Sequence, residues 1–351
     1  MRVPWPRPSP PPTAHPSQAA SERAAQLHRW VEVTLGCAFF RIEPLSGDAS
    51  FRRYWRVTRG DASYVLMDAP PEHIDCRPFI DRAGRLAAAG VRVPEVLAAD
   101  LGQGLLLLSD LGERLYLHEL NADSAPALYR DAIARLIEMQ AQVSTAGLPC
   151  YGVSLIMDEM RLFVTWLLER ELELRPTPQE QAMLHSVFAW LAGEALAQPQ
   201  VFVHRDYHSR NLLRLAAHSP GVLDFQDALS GPLSYDLVSL LRDCYIRWPE
   251  AQVRNWALDY LREARRAGVT GELEPQTFLR WMDLMGVQRH LKASGIFARL
   301  WHRDGKPGYL QDIPRTLGYI VDVSDRYSEL APLHRWMTER VIPVMVGRKR
   351  S

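Results

Sequence analysis

Lysine is almost missing from this chain: 351 residues hold three, Lys292, Lys306 and Lys349. GC-rich coding alone produces such a bias, but its chemical consequence stands. Any permanently charged group facing phosphate before position 292 is an arginine or a metal ion. Net charge is missing too, with Lys+Arg 41 against Asp+Glu 41. That leaves no broad basic field and argues against general nucleic-acid binding. The four cysteines, Cys37, Cys76, Cys150 and Cys244, include no C-x-x-C pair, which excludes a zinc ribbon or dithiol redox centre. Scattered thiols suit a reducing, cytoplasmic compartment. No run of about 18 apolar residues is present, so no membrane-spanning helix is expected. Residues 1–16 are proline-rich and lack the apolar centre of a signal peptide. Residues 1–20 are expected to be a disordered tail. What remains is 47% hydrophobic and 23% charged, the composition of a globular protein with a sizeable core, and the length suggests two domains.

Two kinds of pattern follow each other along the chain. A helical segment at 19–35 precedes short alternating runs at 39–45, 51–57 and 64–67, separated by Ser46-Gly47-Asp48 and Arg59-Gly60-Asp61. A helix is expected at 78–89, opened by Pro78 and stopped by Gly90, and strands at 96–99 and 105–108. The first ~110 residues therefore read as a strand-rich lobe with one inserted helix. After Gly112 the spacing turns helical, at 125–143, 157–172, 178–197, 256–264, 278–300 and 334–342. Two short apolar patches interrupt it, at 201–203 and 222–223. The expected fold is α+β and two-lobed, with a small antiparallel sheet and a larger, mainly helical lobe.

The chemistry concentrates in one stretch, Val203-His204-Arg205-Asp206-Tyr207-His208-Ser209-Arg210-Asn211, followed by Asp224-Phe225-Gln226-Asp227. Asp206 follows a short strand and suits the proton of an attacking hydroxyl. Asn211 and Asp224 offer hard oxygen ligands of the kind Mg²⁺ takes together with phosphate oxygens and water. Two strand ends lying side by side bring the three groups to one point, the arrangement phosphoryl transfer needs. Gly47-Asp48-Ala49-Ser50, between two strands, can present backbone N–H groups to phosphates.

His204-x-Asp206-x4-Asn211 with Asp224-Phe225 resembles the catalytic and metal-binding motifs of the protein-kinase superfamily. His208 two residues after Asp206, and the lack of glycine after Phe225, resemble the aminoglycoside phosphotransferase and choline kinase branch. The longer string HRDYHSRNLL…GVLDFQDALSGPLSYDLVSLLRD is similar to bacterial N-acetylmuramate/N-acetylglucosamine 1-kinases of peptidoglycan recycling. The resemblance spans residues ~21 to 345. It implies a protein-kinase-like fold with a nucleotide-binding lobe at 21–111 and a catalytic and substrate-binding lobe at 112–351. It implies ATP and Mg²⁺ as cofactors and an amino sugar as the small-molecule partner, phosphorylated on its anomeric hydroxyl. It suggests no nucleic-acid, membrane or protein partner.

The resemblance also implies roles. Asp206 is the catalytic residue, His204 and Asp236 orient its loop, and Asn211 and Asp224 hold the metal. Gly47, Asp48, Ala49 and Ser50 form the phosphate loop, and the backbone of Ser109, Asp110 and Leu111 pairs with adenine. One departure is plain: Met67 stands where the family has a phosphate-binding cation, and Asp81 where that cation's acidic partner sits. Arg52 or Arg53 is the expected substitute. Asp227 could help hold the metal or cap a following helix, and the cap is the favoured role. His208 reads equally as support or as substrate contact, and Arg210 goes with it. A muramate carboxylate calls for a cation, and Arg289, His290, Lys292 and Arg299 are the candidates. An aminoglycoside or choline acceptor is the alternative within kinases. A nucleotide-binding pseudokinase is the alternative of another class.

Overall fold

The computed structural model describes residues 18–45 and 51–348. Most of the expected tail and the whole of Gly47-Asp48-Ala49-Ser50 lie outside these. The chain folds into two lobes, an antiparallel sheet with two helices and a larger helical lobe, as the composition shift at Gly112 predicts.

Helix α1 (Gln18–Leu35) leads into β1 (Arg41–Leu45), β2 (Arg53–Arg59) and β3 (Ala62–Asp68). Helix α2 (Arg77–Ala88) precedes β4 (Val96–Asp100) and β5 (Leu105–Ser109). The strands lie in the order β1-β2-β3-β5-β4, each pair antiparallel. The β2–β3 hairpin turns through Gly60, whose φ of +56° is one that glycine adopts without steric cost.

Register decides which side chains reach which layer. Trp55 pairs with Leu66 and Val57 with Tyr64, and this face packs on Leu27 and Val31 of α1. Tyr54 pairs with Met67 and Arg56 with Val65 on the opposite face, towards α2 and the other lobe. Asp68 lies on the α1 face and is fully buried. Two arginines neutralise it, Arg23 of α1 at 2.6 Å and Arg53 at 2.7 Å.

The second lobe holds the short α3 (Tyr116–Glu119), then α4 (Ala125–Gln142), α5 (Val153–Leu162) and α6 (Pro178–Leu196). After a strand-and-loop region come α7 (Tyr235–Leu241), α8 (Glu250–Arg266), α9 (Pro275–His302), α10 (Ile313–Ser324), α11 (Ala331–Trp336) and α12 (Ile342–Arg348). Two ribbons interrupt the helices: β6 (Gln200–Val203) with β9 (Leu229–Pro232), and β7 (Leu212–Leu213) with β8 (Gly221–Val222). The sequence marks only the start of α7, at Tyr235-Asp236-Leu237, since all seven of its residues are buried and no polar face alternates. Patterning passes over α10, which carries Pro314 and Gly318. No helix among the described residues is long and apolar enough to cross a membrane.

The helix expected at 157–172 differs in kind. Beyond Leu162 it widens into a π-helical stretch, Phe163–Glu171, in which the Leu172 N–H reaches the Leu167 carbonyl. Helix α9 crosses at that point through Gly295. A Cβ on Gly295 meets the Leu162 carbonyl carbon at 2.3 Å and the Phe163 nitrogen at 2.5 Å. Backbone cannot yield as a side chain does. Gly295→Ala is therefore expected to destabilise the protein by at least about 3 kcal/mol. Gly193→Ala, in a helix with open space around it, is expected to be neutral or mildly stabilising. Paired thermal melts measure both.

Candidate active site

The motif residues meet at a cleft of about 910 Å³ between the lobes. Strand β6 ends at Val203 and delivers His204 and Asp206 to it. The β7–β8 ribbon delivers Asn211 just before β7 and Asp224 two residues after β8. The two strand ends are not neighbours in one sheet, as the sequence suggests, because β6 pairs with β9 and β8 with β7. A side chain joins them instead. The buried His204 donates from Nε2 to the Leu223 carbonyl at 2.9 Å. Its Nδ1 accepts the Asp206 N–H at 3.3 Å. The bond to a carbonyl fixes the proton on Nε2. Burial pushes the ring down to about 4, so it is neutral at pH 7 and holds the loop without carrying a charge.

Two buried aspartates brace this loop from below. Asp236 accepts the His204 N–H at 2.6 Å and the Arg205 N–H at 3.0 Å. Burial pushes its carboxyl up to about 7 despite those two donors. Asp243, just past the end of α7, accepts the Ser209 N–H at 3.0 Å and its hydroxyl at 2.5 Å. Sequence reasoning finds the first brace through the family pattern and misses the second. Arg205 and Asp224 both adopt positive φ, 79° and 63°, strain that these bonds hold in place.

Asp206 faces the cleft. Burial works against its charge, but Lys292, His208, Arg289 and Arg205 together outweigh it and hold the carboxyl at about 2. Asn211 donates its amide N–H to the Asp206 carbonyl at 2.9 Å, which leaves the amide oxygen for a ligand. Asp224 accepts from Gln226 at 2.7 Å and lines the same cleft. Asp227 is exposed there too, and the cap expected of it is corrected: strand β9, not a helix, follows.

Beneath Asp206 lies a charged cluster. Glu159 pairs with Lys292 at 3.0 Å and Arg205 at 2.5 Å, and accepts from Tyr151 and Gln288. Lys292 also donates to the Tyr235 hydroxyl at 2.8 Å. Burial raises Glu159, but the two cations more than offset it and hold the carboxyl below its usual range.

The remaining candidates divide. His208, Arg210, Arg289, Lys292 and Arg299 line the cleft. His208 is pushed below its ordinary value by burial, and its Nδ1 has no hydrogen-bond partner. Arg210 lies between the rings of Tyr245 and Tyr309, at 4.8 and 5.0 Å. His290 is elsewhere: it stacks on Tyr319 and bonds to the Arg242 carbonyl at 2.8 Å, so it packs the core and does not reach the cleft. Ser109, Asp110 and Leu111 line the cleft on the side of the first lobe. The Asp110 carboxylate is committed to Arg56 at 2.8 Å and Ser63 at 2.6 Å. Its backbone is what it has left to offer. Arg53, paired with Asp68 on the α1 face, is turned away from the cleft, whereas Arg52 and Arg56 line it. Met67 is buried on the cleft side of β3 and brings no charge there. Asp81 pairs with Arg82 and Arg85 of its own helix.

A two-lobed kinase-like enzyme fold is what this geometry defines, and comparison with solved structures agrees. A choline kinase from Streptococcus pneumoniae superposes with a TM-score of 0.62 at 10% identity, over 86% of this chain and 99% of that one. An ADP-bound aminoglycoside phosphotransferase gives 0.57 at 15% identity, over 85% and 98%. The family model described as the phosphotransferase enzyme family matches residues 41–275, and the chain belongs to that family. Two relatives are named N-acetylmuramate/N-acetylglucosamine kinase. One, from Pseudomonas aeruginosa, is 49% identical over 89% of this chain and 95% of its own length. The other, from Pseudomonas putida, is 47% identical over 88% and 90%.

The buried cluster yields a stability prediction. Glu159→Leu leaves the buried Lys292 and the half-buried Arg205 without their shared carboxylate. The expected loss is about 3–5 kcal/mol, read by denaturant unfolding.

Proposed function

We propose that this protein is a cytoplasmic kinase that transfers the γ-phosphoryl group of ATP to the anomeric hydroxyl of N-acetylmuramate and N-acetylglucosamine, in the recycling of cell-wall sugars. One observation carries the transfer chemistry: a charged Asp206 in the same cleft as Asn211 and Asp224, on a loop braced from two sides. The acceptor rests on the names of relatives 47–49% identical over most of the chain. The arginines and lysine lining the second lobe support it, since a cationic aminoglycoside or choline calls for carboxylates there.

In this reading Asp206 orients the acceptor hydroxyl and takes its proton. An anomeric hydroxyl is more acidic than an ordinary alcohol, so a carboxylate with a low pKa is an adequate base. His204, Asp236 and Asp243 keep that carboxylate in place. Asn211 and Asp224 are the residues that would hold Mg²⁺. Among the described residues no cluster of three His, Cys, Asp or Glu side chains is placed to hold a metal. One amide oxygen and one carboxylate fit an ion that completes its shell with phosphate oxygens and water. Such an ion, when bound, neutralises phosphate charge during transfer. Residues 21–111 serve as the nucleotide lobe, the backbone of 109–111 meeting the adenine and Gly47-Asp48-Ala49-Ser50 the phosphates. Arg52, the cleft-facing arginine just before β2, replaces the cation missing at Met67.

Asp206→Asn is expected to lower turnover at least about 10³-fold while nucleotide affinity stays within about threefold. Coupled ADP release and nucleotide titration read the two. A variant retaining a tenth of the activity with either sugar removes the mechanism. The pH dependence has a definite sign. Asp206 sits below its unfolded value of about 3.9, so it is ionised throughout pH 5–9 and contributes no acid limb there. The stability tied to its charge is present above pH ~4 and is lost as pH falls through about 2. Lys292→Met removes the largest attraction on this carboxylate and is expected to move the acid limb of kcat upward.

A further inference from the structure

Three cations of α9 look into the cleft, Arg289, Lys292 and Arg299. Their electrostatic situations differ. Lys292 is held by Glu159 and Tyr235. Arg299 stands ten residues beyond Arg289, about 15 Å along the helix axis. Arg289 is 5% exposed, yet no carboxylate among the described residues comes within ion-pair distance of it. Its one hydrogen bond runs from Nη1 to the Cys244 sulfur at 3.7 Å, and its Nε has no acceptor.

Neighbouring arginines are treated otherwise. Arg242, 3% exposed, pairs with Asp283 at 2.6 Å and with Glu250 at 2.9 Å. Arg205 pairs with Glu159. The acidic groups nearest Arg289 are Asp206 and Asp243, which act on it at longer range. Asp243 has its oxygens committed to Ser209 and the Tyr245 N–H, and Asp206 faces the acceptor. A desolvated guanidinium without a carboxylate is costly unless an anion is brought to it. The cleft is where one enters.

We propose that Arg289 selects the carboxylate-bearing acceptor, receiving the lactyl carboxylate of N-acetylmuramate while Asp206 holds the anomeric hydroxyl. This rests on the acceptor reading above. Both groups belong to one sugar ring, a few bonds apart, and Arg289 and Asp206 line one cleft within electrostatic reach of each other. The fork of the guanidinium matches a carboxylate through two parallel N–H donors, which a lysine cannot supply. N-acetylglucosamine has a hydroxyl at that ring position and forgoes the ion pair.

The test compares kcat/KM for the two sugars in the wild type, Arg289→Gln and Arg289→Lys. In Arg289→Gln the preference ratio for N-acetylmuramate over N-acetylglucosamine is expected to fall about a hundredfold, chiefly through KM. Arg289→Lys is expected to recover part of it. A substrate-side arm needs no variant: the methyl ester of N-acetylmuramate loses a similar factor with wild-type enzyme, and Arg289→Gln no longer distinguishes acid from ester. Should Arg289→Gln fail to fold, the ester with wild-type enzyme and Arg289→Lys decide. A ratio within threefold of wild type, or an ester turned over as well as the acid, overturns the role of Arg289 alone. Wild-type protein that phosphorylates neither sugar removes the acceptor reading, and this proposal with it.

Discussion

The whole motif loop of this protein hangs from a buried imidazole. His204 joins two ribbons that share no hydrogen-bonded edge, and it does so with a single proton fixed on Nε2. The ring is neutral because it is buried, and it is buried because Asp236 draws its backbone, and that of Arg205, down towards α7. The side chains of Asp206, Asn211 and Asp224 inherit their positions from this arrangement. A rigid scaffold below, and strained φ values at Arg205 and Asp224 above, is a common pairing at reactive centres.

The electrostatics follow a similar logic of depth. Lys292 and Arg205 surround Glu159 and together overcompensate it, so the excess positive field falls on Asp206. That field keeps the Asp206 side chain ionised across the neutral pH range.

Much of this was legible in the sequence because the motif is local. His204, Asp206, Asn211 and Asp224 carry their spacing in one short segment, and the first-lobe strands alternate cleanly. What escaped depends on distance in the chain. The brace by Asp243, the cage around Glu159 and the split fates of Arg289 and His290 arise from helices packed long after the motif has been written. Adjacent residues on α9 end up one in the cleft and one in the core, a matter of about 100° of helical rotation. Arg52 and Arg53 divide likewise by the pleat: strand parity sends one to the cleft and the other to Asp68. The helix at 157–172 was foreseen but not its widening, which belongs to the close approach of Gly295.

The ion pair between Arg23 and Asp68 has a practical reach beyond the first lobe. Since Asp68 is wholly enclosed, the leading helix is part of the sheet's charge balance and no ornament at its edge. Anyone shortening this protein for crystallisation, or grafting a reporter into its first helix, has to keep Arg23 in place. A cut inside that helix strands a carboxylate in hydrocarbon, with one solvent-facing arginine left to answer it.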